Sequence, residues 1–581
     1  MTDTPVLPAS FEPDSARTTT GPTGEIAHES LVAHAARFEQ RLIPVGDGAW
    51  CMIGNGLSNQ NFVRGPEGII AIDSGESIEE MTEALEALRE VTDEPVVAVI
   101  YTHFHYVNGT QALFNDGADR SIPIWSHSKV TANLRRQAIE LNAVGARGLV
   151  QQFGIFLPEQ GADGVLVAGL GPRYRKADHA PFTPGFVPPT NTIDEGTEVT
   201  IAGLRTILRP APSDADDNVT IVFPDLGICI NNIVWPVLFN VFAIRGEEYR
   251  DPRVLLTGID EVLSFAPEHL IGAHGPPISG AAQIQDAVTR SRDAIQFLWD
   301  QTVRGINLGL TTSELTEFVQ LPSLYDEHYL TQQHYGLAEH HVRQIFTGLR
   351  GWFDGDESTL FPLPTLERCT RLIDGFGGRT EVAAQARAAL EAEDLRWALE
   401  LSTWLVRSKV GPDGRADGGT PDERELLADA LRAIGQRTTS ANIRNWALTR
   451  ARELEGNLDL NRFRSFRFSR GAVLAADPDA YVHGLRVVLD PDAAQGVDEQ
   501  LAWHFADGTT VGLHVRNCVA ATTDGADAST TLVLSLEAWA NVLGGKTTLS
   551  EAIDAGDIVI EGSPELAVRV LRCFDHPPLR S

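Results

Sequence analysis

The sequence predicts an α/β region, then an all-helical region, then a smaller α+β region. Short apolar strands alternate with helical stretches from about residue 40 to 275, and nearly every segment from about 285 to 455 has helical spacing. Beyond about residue 465 strand patterns return, before a closing helix. Such switches between a period of two and a period of about 3.6 mark changes of secondary structure. A chain of 581 residues also exceeds what one hydrophobic core usually serves, so we expect separate domains.

The first region opens with strands that end at Gly or Asn. These strands are AWCMIGNG, NQNFVRG and GIIAIDSG. A helix with Ser77 as its N-cap follows in SIEEMTEALEALREV, and PVVAVIYTHFH is a strand too apolar to have a solvated face. The order strand, helix, strand predicts a βαβ unit. Because α/β proteins place their sites at the carboxyl ends of such strands, we expect a site where His103 and His105 follow the strand.

The later elements are read from the same signals. The remaining strands of the first region are IPIWSHS, TEVTIAGLRTILRPAP, NVTIVFP, GICINNIVW and EHLIGAHGPP. In the helical region, Thr420 and Glu423 have the spacing of a capping box and Pro421 stands at the first helical position, which predicts a helix over 421–435. The last region contains the strands TTVGLHVRN, TTLVLSLEAW and DIVIEGS and the helix PELAVRVLRCF.

Composition excludes several classes of protein. There are 47 Lys and Arg against 79 Asp and Glu, a net charge of −32 spread along the chain, which argues against nucleic-acid binding. No window approaches the roughly 20 apolar residues of a membrane span. The 5 cysteines form no C-x-x-C pair, so neither a disulfide framework nor a cysteine zinc site is expected. Residues 1–30 lack the features of a secretory signal and are rich in Pro, Thr and Ser, which predicts a mobile arm on a cytoplasmic protein.

The two histidines at the end of the PVVAVIYTHFH strand are candidate metal ligands. His103 and His105 share a face of the strand, and both imidazoles reach one ion if the backbone turns there. The alternative is a pair of hydrogen-bonded histidines without a metal. The next residues, Tyr106, Val107 and Asn108, are poor ligands.

Longer stretches of the chain resemble a known family. The stretches NFVRGPEGIIAIDSG, GLGPRY, FVPPTNTI, AIRGEEYRDP, HYGLAEHHVRQIFTGLRGWFDGDESTL and GGRTEVAAQARAALEAEDLRWALELSTWLV are similar to alkyl sulfatases, which belong to the metallo-β-lactamase fold superfamily. This resemblance implies a metallo-β-lactamase-like αββα sandwich over 31–310, a helical dimerisation domain over 311–458, and an α+β sterol-carrier-like domain over 459–581. It also implies a homodimer.

The resemblance implies a set of metal ligands. The family holds two zinc ions with the motif H-x-H-x-D-H, two later acidic residues and a downstream histidine. By position, His103 and His105 match the first two ligands and His274 matches the last. The first acidic ligand is best matched by Asp214, and the same loop offers two alternatives, Asp216 and Asp217.

The chain departs from the family pattern at three ligand positions. Val107 and Asn108 stand where the motif has Asp and His, and Asn232 falls near the bridging glutamate when a one-residue gap is allowed. Valine has no lone pair, and a neutral amide is a poor partner for zinc. Only His274 is then left to the second ion. We therefore expect a mononuclear centre.

Two histidines and one carboxylate suit several ions. We expect one divalent ion, with zinc as the first choice and manganese or Fe(II) as alternatives. The resemblance favours hydrolysis of an alkyl sulfate or a related amphiphilic ester or ether. In that reaction His274 would act as general base or orient the water, and Tyr106 and Asn108 are further catalytic candidates. The alternatives are an iron-dependent oxygenase on this fold and a protein that binds an amphiphile without converting it.

The resemblance further implies basic and aromatic groups around the sulfate. Arg245 in AIRGEEYRDP suits bidentate binding of a sulfate, although it has an alternative partner in Glu247. The other candidates for substrate binding are His334, Tyr335, His340, Arg343 and Asn232. A sterol-carrier-like domain favours a small amphiphilic substrate with a long apolar tail.

Overall fold

The computed structural model describes residues 10–11, 15–464 and 466–581, without the side chains of residues 137 and 138. The described chain forms two compact units, one from residues up to 131 together with 148–460, the other from 132–147 together with 461–581. The helical region thus shares a unit with the α/β region. Residues 132–147 leave the continuous 31–310 domain that the sequence predicts, because Ile139 lies in the C-terminal core and Arg135 pairs with Asp477.

The predicted arm over residues 1–30 contains regular structure where it is described. Residues 18–28 form an antiparallel hairpin of β1 (Thr18–Thr20) and β2 (Ile26–His28), followed by helix α1 (Glu29–Ala35). Arg444 donates hydrogen bonds to the carbonyls of Ile26 and Gly164, which ties the hairpin to the helical region. Residues 1–9 and 12–14 lie outside the described residues.

A seven-stranded sheet occupies the first part of the α/β region. Its elements and the helices between them are β3 (Arg41–Val45), β4 (Ala49–Ile53), β5 (Gln60–Gly65), β6 (Gly68–Ile72), α2 (Ile78–Arg89), β7 (Val96–Ile100), α3 (Gln111–Asn115), β8 (Ile124–His127), α4 (Val130–Ile139), α5 (Asn142–Phe153) and β9 (Asn191–Ile193). The strands follow one another in sheet order, antiparallel from β3 to β6 and parallel from β6 to β9. The predicted βαβ unit is therefore β6, α2 and β7.

A six-stranded sheet forms the second half. Its elements are β10 (Thr197–Ile201), β11 (Leu204–Pro210), β12 (Val219–Phe223), β13 (Ile228–Asn231), α6 (Pro252–Ser264), β14 (His269–Gly272), β15 (Ile278–Ser279) and α7 (Ala281–Asn307). The strands again follow sheet order, and only β13 and β14 are parallel. The helix α6 connects these two parallel strands, as a crossover requires.

Alternation of apolar side chains along the strands builds the layers. One core joins the two sheets, with Ile70 and Ile100 from the first and Ile221 and Ile230 from the second. The opposite face of the second sheet packs with α6 and α7 in another core, whose members include Val222, Cys229, Leu270, Ile259 and Leu298. On the first sheet, α2 buries Met81, Leu85 and Leu88 at helical spacing. The predicted αββα sandwich is confirmed.

The helical region contains seven helices among the described residues. They are α8 (Thr312–Phe318), α9 (Ala338–Arg350), α10 (Thr365–Gly375), α11 (Arg379–Glu391), α12 (Leu395–Arg407), α13 (Pro421–Arg437) and α14 (Ala441–Leu454). The predicted helix at 421 is confirmed: Thr420 and Glu423 form both hydrogen bonds of the capping box, and Pro421 is the first helical residue. It ends at Arg437, two residues beyond the predicted end.

The C-terminal unit is an α+β domain. Its elements after residue 469 are α15 (Arg470–Leu474), α16 (Ala480–His483), β16 (Glu499–Phe505), β17 (Thr510–Arg516), β18 (Val519–Thr523), β19 (Thr531–Leu534), α17 (Leu536–Leu543), α18 (Leu549–Asp554), β20 (Ile558–Glu561), α19 (Pro564–Leu571) and α20 (Pro577–Arg580). The sheet order is β18-β17-β16-β19-β20, with β16 and β19 parallel. Trp503 and Trp539 fill its core.

Two expectations from composition concern the cysteines and the membrane. All 5 cysteines are unpaired. Within the described ranges, no helix combines the length and apolar character needed to cross a bilayer.

Candidate metal centre

The centre begins at the carboxyl ends of the adjacent parallel strands β6 and β7. Asp73 follows β6, and its two carboxylate oxygens accept hydrogen bonds from the backbone N–H (2.7 Å) and the hydroxyl (2.6 Å) of Thr102. The Thr102 hydroxyl oxygen lies 2.8 Å from His103 Nδ1. Since the hydroxyl gives its one hydrogen to Asp73, it accepts from His103 Nδ1–H. This leaves the lone pair of His103 on Nε2, in the tautomer that a metal ligand needs.

The backbone turns immediately after His103, as a shared ion requires. Residues Phe104–Tyr106 form a single 3-10 turn, and the rings of His103 and His105 stand perpendicular with centroids 4.9 Å apart. His105 Nδ1 lies 3.2 Å and His103 Nε2 lies 3.7 Å from Asp214 Oδ2. The three ligand atoms all lie within 4.8 Å of one another. These three residues therefore form a candidate metal site.

Asp214 reaches the histidines from the loop between β11 and β12. The N–H of Val219 donates to the carbonyl of Thr102 (2.8 Å), which fixes this loop beside the end of β7. The Asp214 side chain is 5% exposed. Of the two alternatives in the loop, Asp216 pairs with Lys129 at the surface, 2.7 Å away, and Asp217 is buried without belonging to the cluster of candidate ligands found among the described residues.

Protonation in this cluster favours a bound cation. Burial lowers the pKa of His103 to about 3, so its imidazole is neutral. Burial also acts to lower the pKa of His105, but the carboxylates of Asp214 and Glu247 outweigh it and raise that pKa to about 9. The two imidazoles hold the pKa of the Asp214 carboxyl well below its usual range, against the effect of burial. The cluster stabilises one positive charge, and a divalent cation in place of the His105 proton would supply it.

The positions of a second ion do not offer ligands. Val107 is fully buried, and the Asn108 backbone is held by hydrogen bonds with Gly75 and Gly185. Asn232 donates from Nδ2 to Asp214 (2.8 Å), and its Oδ1 accepts from the indole N–H of Trp235 (3.0 Å). The Asn232 side chain thus turns hydrogens, rather than lone pairs, toward the centre. The residues present do not fit a second metal ion.

His274, just beyond β14, pairs with Tyr106. Its Nδ1 lies 2.9 Å from the carbonyl of Leu57, which can only accept, so Nδ1 carries the hydrogen. Nε2 lies 3.3 Å from the Tyr106 hydroxyl and accepts from it. Burial lowers the pKa of His274 to about 4 and raises that of Tyr106 well above its usual range. Both groups are therefore neutral, and the one lone pair of the His274 imidazole, on Nε2, accepts the hydrogen bond from Tyr106.

Arg245 lies beside this centre and pairs with Glu247, the alternative partner considered from the sequence. One guanidinium N–H of Arg245 donates to Glu247 Oε1, and Arg250 donates to Oε2 (2.7 Å). The same Oε1 lies 3.7 Å from His105 Nε2. Tyr335, Asp214 and Tyr106 are further electrostatic neighbours of Arg245, so its guanidinium lies near the candidate metal site.

The other predicted substrate-binding residues divide into two groups. Tyr335 is buried near the centre, where its hydroxyl accepts from Gln152 (3.0 Å) and its ring packs edge-on against Trp235. His334 is bonded to the Thr439 carbonyl and stacks on His34 instead.

Two residues of α9 point elsewhere. His340 packs edge-on against Phe242 and lines a cavity of about 740 Å³ within the helical region, and Arg343 is exposed.

Two acidic residues were not predicted as parts of the centre. From the sequence, Glu247 is expected only as a partner of Arg245. Glu76, three residues after Asp73, is also near the centre, with Arg175 and His105 among its electrostatic neighbours. Its position at the carboxyl end of β6 was the available signal, because polar side chains that follow adjacent parallel strands meet at one edge of the sheet.

Family models match part of the α/β region and most of the two regions that follow it. Residues 53–106 match the metallo-beta-lactamase superfamily, residues 311–457 match alkyl sulfatase dimerisation, and residues 469–580 match the alkyl sulfatase C-terminal domain. The first match ends one residue before Val107, where the metal motif departs from its usual form.

Individual relatives extend over most of the chain. A linear primary-alkylsulfatase of Pseudomonas sp. is 32% identical over 532 residues, covering 88% of this chain and 98% of that protein. An alkyl/aryl-sulfatase of Saccharomyces cerevisiae is 26% identical over 552 residues, covering 92% and 82%. The solved structure of the stereoselective inverting sec-alkylsulfatase Pisa1 from Pseudomonas sp. shares the fold, with a TM-score of 0.84, 24% identity, and coverage of 97% and 88%. The chain belongs to the alkyl sulfatase family of the metallo-beta-lactamase superfamily.

Proposed function

We propose that this protein hydrolyses the sulfate ester of an alkyl alcohol with a single divalent metal ion held by His103, His105 and Asp214. The observation that carries the proposal is the convergence of the ligand atoms of these three residues within 4.8 Å, with Arg245 nearby, in a member of the alkyl sulfatase family. The reaction consumes one water and releases an alcohol and hydrogensulfate. The relatives that support the substrate class are named as linear primary and (R)-specific secondary alkylsulfatases.

Zinc is the ion that we propose for the site. Two imidazoles and one carboxylate leave open positions, as in catalytic zinc sites. When bound, such an ion lowers the pKa of a bound water toward ~7 and polarises the bond to be cleaved. The absence of ligands at Val107, Asn108 and Asn232 supports a mononuclear rather than a binuclear centre.

The chain's own residues bind the substrate and move protons. Arg245 keeps N–H groups beyond the one used by Glu247, and these suit the oxygens of a sulfate head group. His274 receives a proton at Nε2, because Nδ1 is held by the Leu57 carbonyl. The Tyr106 hydroxyl, bonded to Nε2, is placed to relay that proton.

We also propose that the enzyme is a homodimer. The match of residues 311–457 to the dimerisation model supports this. So do the exposed apolar side chains of that region, of which Trp352 is 67% and Phe361 is 89% exposed.

The experiment is release of sulfate from dodecyl sulfate by the purified protein. We expect release to stop when the metal is chelated and to return with zinc, and we expect His103→Ala to lose it. His127→Ala is the matched control, because His127 also ends a strand of the same sheet but lies outside the metal site. Release that persists in His103→Ala would assign the activity to another site.

A further inference from the structure

Glu247 is a buried carboxylate on which three basic groups converge. It stands in the loop between β13 and α6, and its side chain is 8% exposed. Oε1 accepts from Arg245 and faces His105 Nε2 at 3.7 Å, while Oε2 accepts from Arg250 at 2.7 Å. Arg250 is further held by the carbonyl of Asn240 at 2.7 Å, so this part of the loop is fixed on both sides.

The carboxylate is an anion placed where the substrate's anion has to approach. Each of its two oxygens accepts a hydrogen bond from a guanidinium, Oε1 from Arg245 and Oε2 from Arg250, and this pairing holds Glu247 as an anion. Arg245 spends one of its five N–H donors on this internal anion. The other N–H donors of Arg245 remain for a substrate anion, and Asp214 and Tyr106 at the metal site are among the electrostatic neighbours of the guanidinium.

We propose that Glu247 selects the charge of the substrate head group and restricts the site to monoanions. The inference rests on the proposed function, which places the substrate's oxyanion on Arg245. An alkyl sulfate carries one negative charge, whereas a phosphate monoester carries nearly two above pH ~6. The second charge would lie close to the Glu247 carboxylate in a buried setting, where repulsion between like charges is weakly screened.

A purely structural role for Glu247 predicts a different result. If the carboxylate only held Arg245 in place, its neutralisation would let the guanidinium move and would weaken the binding of every anion. If the carboxylate selects charge, its neutralisation tightens the binding of dianions and leaves the binding of monoanions nearly unchanged. The sign of the change for a dianion therefore separates the two roles.

The test measures binding of two ligands with the same tail to the full-length, zinc-loaded protein. Decylsulfonate supplies a monoanion without a cleavable ester, and decyl phosphate at about pH 8 supplies a dianion. For Glu247→Gln, we expect calorimetry to show binding of decyl phosphate tightened about tenfold and binding of decylsulfonate changed less than about threefold. Equal changes for both ligands, or weaker binding of decyl phosphate, would overturn the inference.

Two controls separate this inference from the proposed function. Arg245→Gln should weaken both ligands together, which shows that they bind at the guanidinium. The wild-type protein alone should bind decylsulfonate at least about tenfold more tightly than decyl phosphate, a result that needs no variant to fold. If the wild type binds the sulfonate but shows no such preference, only the selection by Glu247 fails. If neither ligand binds the wild type, both the inference and the proposed function fail.

Discussion

At the level of single residues, the orientation of His103 depends on a chain of hydrogen bonds behind it. Asp73 accepts from Thr102, and the Thr102 hydroxyl accepts from His103 Nδ1–H. Loss of a group that fixes the tautomer of a metal-ligating histidine typically lowers metal affinity 10- to 100-fold.

We predict that Thr102→Val lowers the affinity for zinc about 10- to 100-fold. Valine has the shape of threonine but cannot accept from Nδ1–H, so the lone pair is no longer held on Nε2. A competition titration with a coloured chelator measures the effect. The control is Thr206→Val, an equally buried threonine of β11 that bonds only to the backbone of Leu204. An unchanged zinc affinity in Thr102→Val would show that the hydrogen bonds from Asp73 through Thr102 do not orient His103.

The sequence could predict which residues meet, but not how their atoms are oriented. The motif at the strand end identifies His103 and His105, and the family resemblance gives Asp214 as the best of three carboxylates. The pairing of Arg245 with Glu247 is one of two alternatives from the sequence. The orientation of the Asn232 amide depends on Trp235. That contact joins side chains across a turn, and no periodic pattern encodes it.

At the level of secondary structure, local signals identified the elements and their boundaries well. Apolar runs and the turns between them gave the βαβ unit of β6, α2 and β7, and so the edge on which the metal site lies. The start of α13 followed from the capping box, because Thr420 and Glu423 act within one turn. The partners of each strand in the two sheets followed only from the resemblance, since strand pairing is a long-range property.

We predict that Thr420→Ala lowers the free energy of unfolding of the first unit by about 1 kcal/mol. The Thr420 hydroxyl accepts from the N–H of Glu423, and alanine leaves that group without its partner. Urea unfolding followed by circular dichroism measures the change. Thr370→Ala, in the middle of α10, should cause no loss, because its hydroxyl only bonds back to the Leu366 carbonyl. Equal losses in both variants would argue against the cap.

For the whole molecule, the division into units was the part that the sequence did not predict. Residues 132–147 read as helix within the first region, and helical spacing does not say which core a helix joins. Ile139 packs in the C-terminal core, far from it in sequence. The resemblance likewise implies the order of the domains, but it does not predict that residues 132–147 belong to the C-terminal unit.

We predict that acid destabilises the first unit through His34 and His334. Burial lowers the pKa of His34 to about 3 and of His334 to about 4, and the two rings stack at 4.6 Å. Below pH ~6.5 the two histidines are protonated in the unfolded chain but stay neutral in the folded chain. The stability that depends on their neutral form is therefore present above that pH and is lost as the pH falls toward the pKa values of the folded state.

Melting temperatures at about pH 7.5 and about pH 5 measure the effect. The decrease in melting temperature on acidification should be smaller in His34→Gln than in the wild type. His504 is exposed, so His504→Gln should show the same decrease as the wild type. A His34→Gln protein that loses as much stability as the wild type would contradict the assignment.

We predict that Phe361→Ser weakens the homodimer about tenfold or more. Phe361 is 89% exposed in the region that matches the dimerisation model, and burial of a phenylalanine stabilises an interface by about 1.5–3 kcal/mol. Sedimentation velocity measures the dissociation constant. Val559→Ser is the control, since Val559 is exposed in the C-terminal domain. Equal effects of the two substitutions would place the interface elsewhere.

The central claim is our proposal that this member of the alkyl sulfatase family uses a single metal ion, held by His103, His105 and Asp214. Elemental analysis of the purified protein, together with a variant that carries Val107→Asp, Asn108→His and Asn232→Glu, tests it most directly. We expect one equivalent of metal per chain in the wild type and a second equivalent in the variant, because the substitutions supply the missing carboxylates and imidazole. Two equivalents in the wild-type protein would contradict the account.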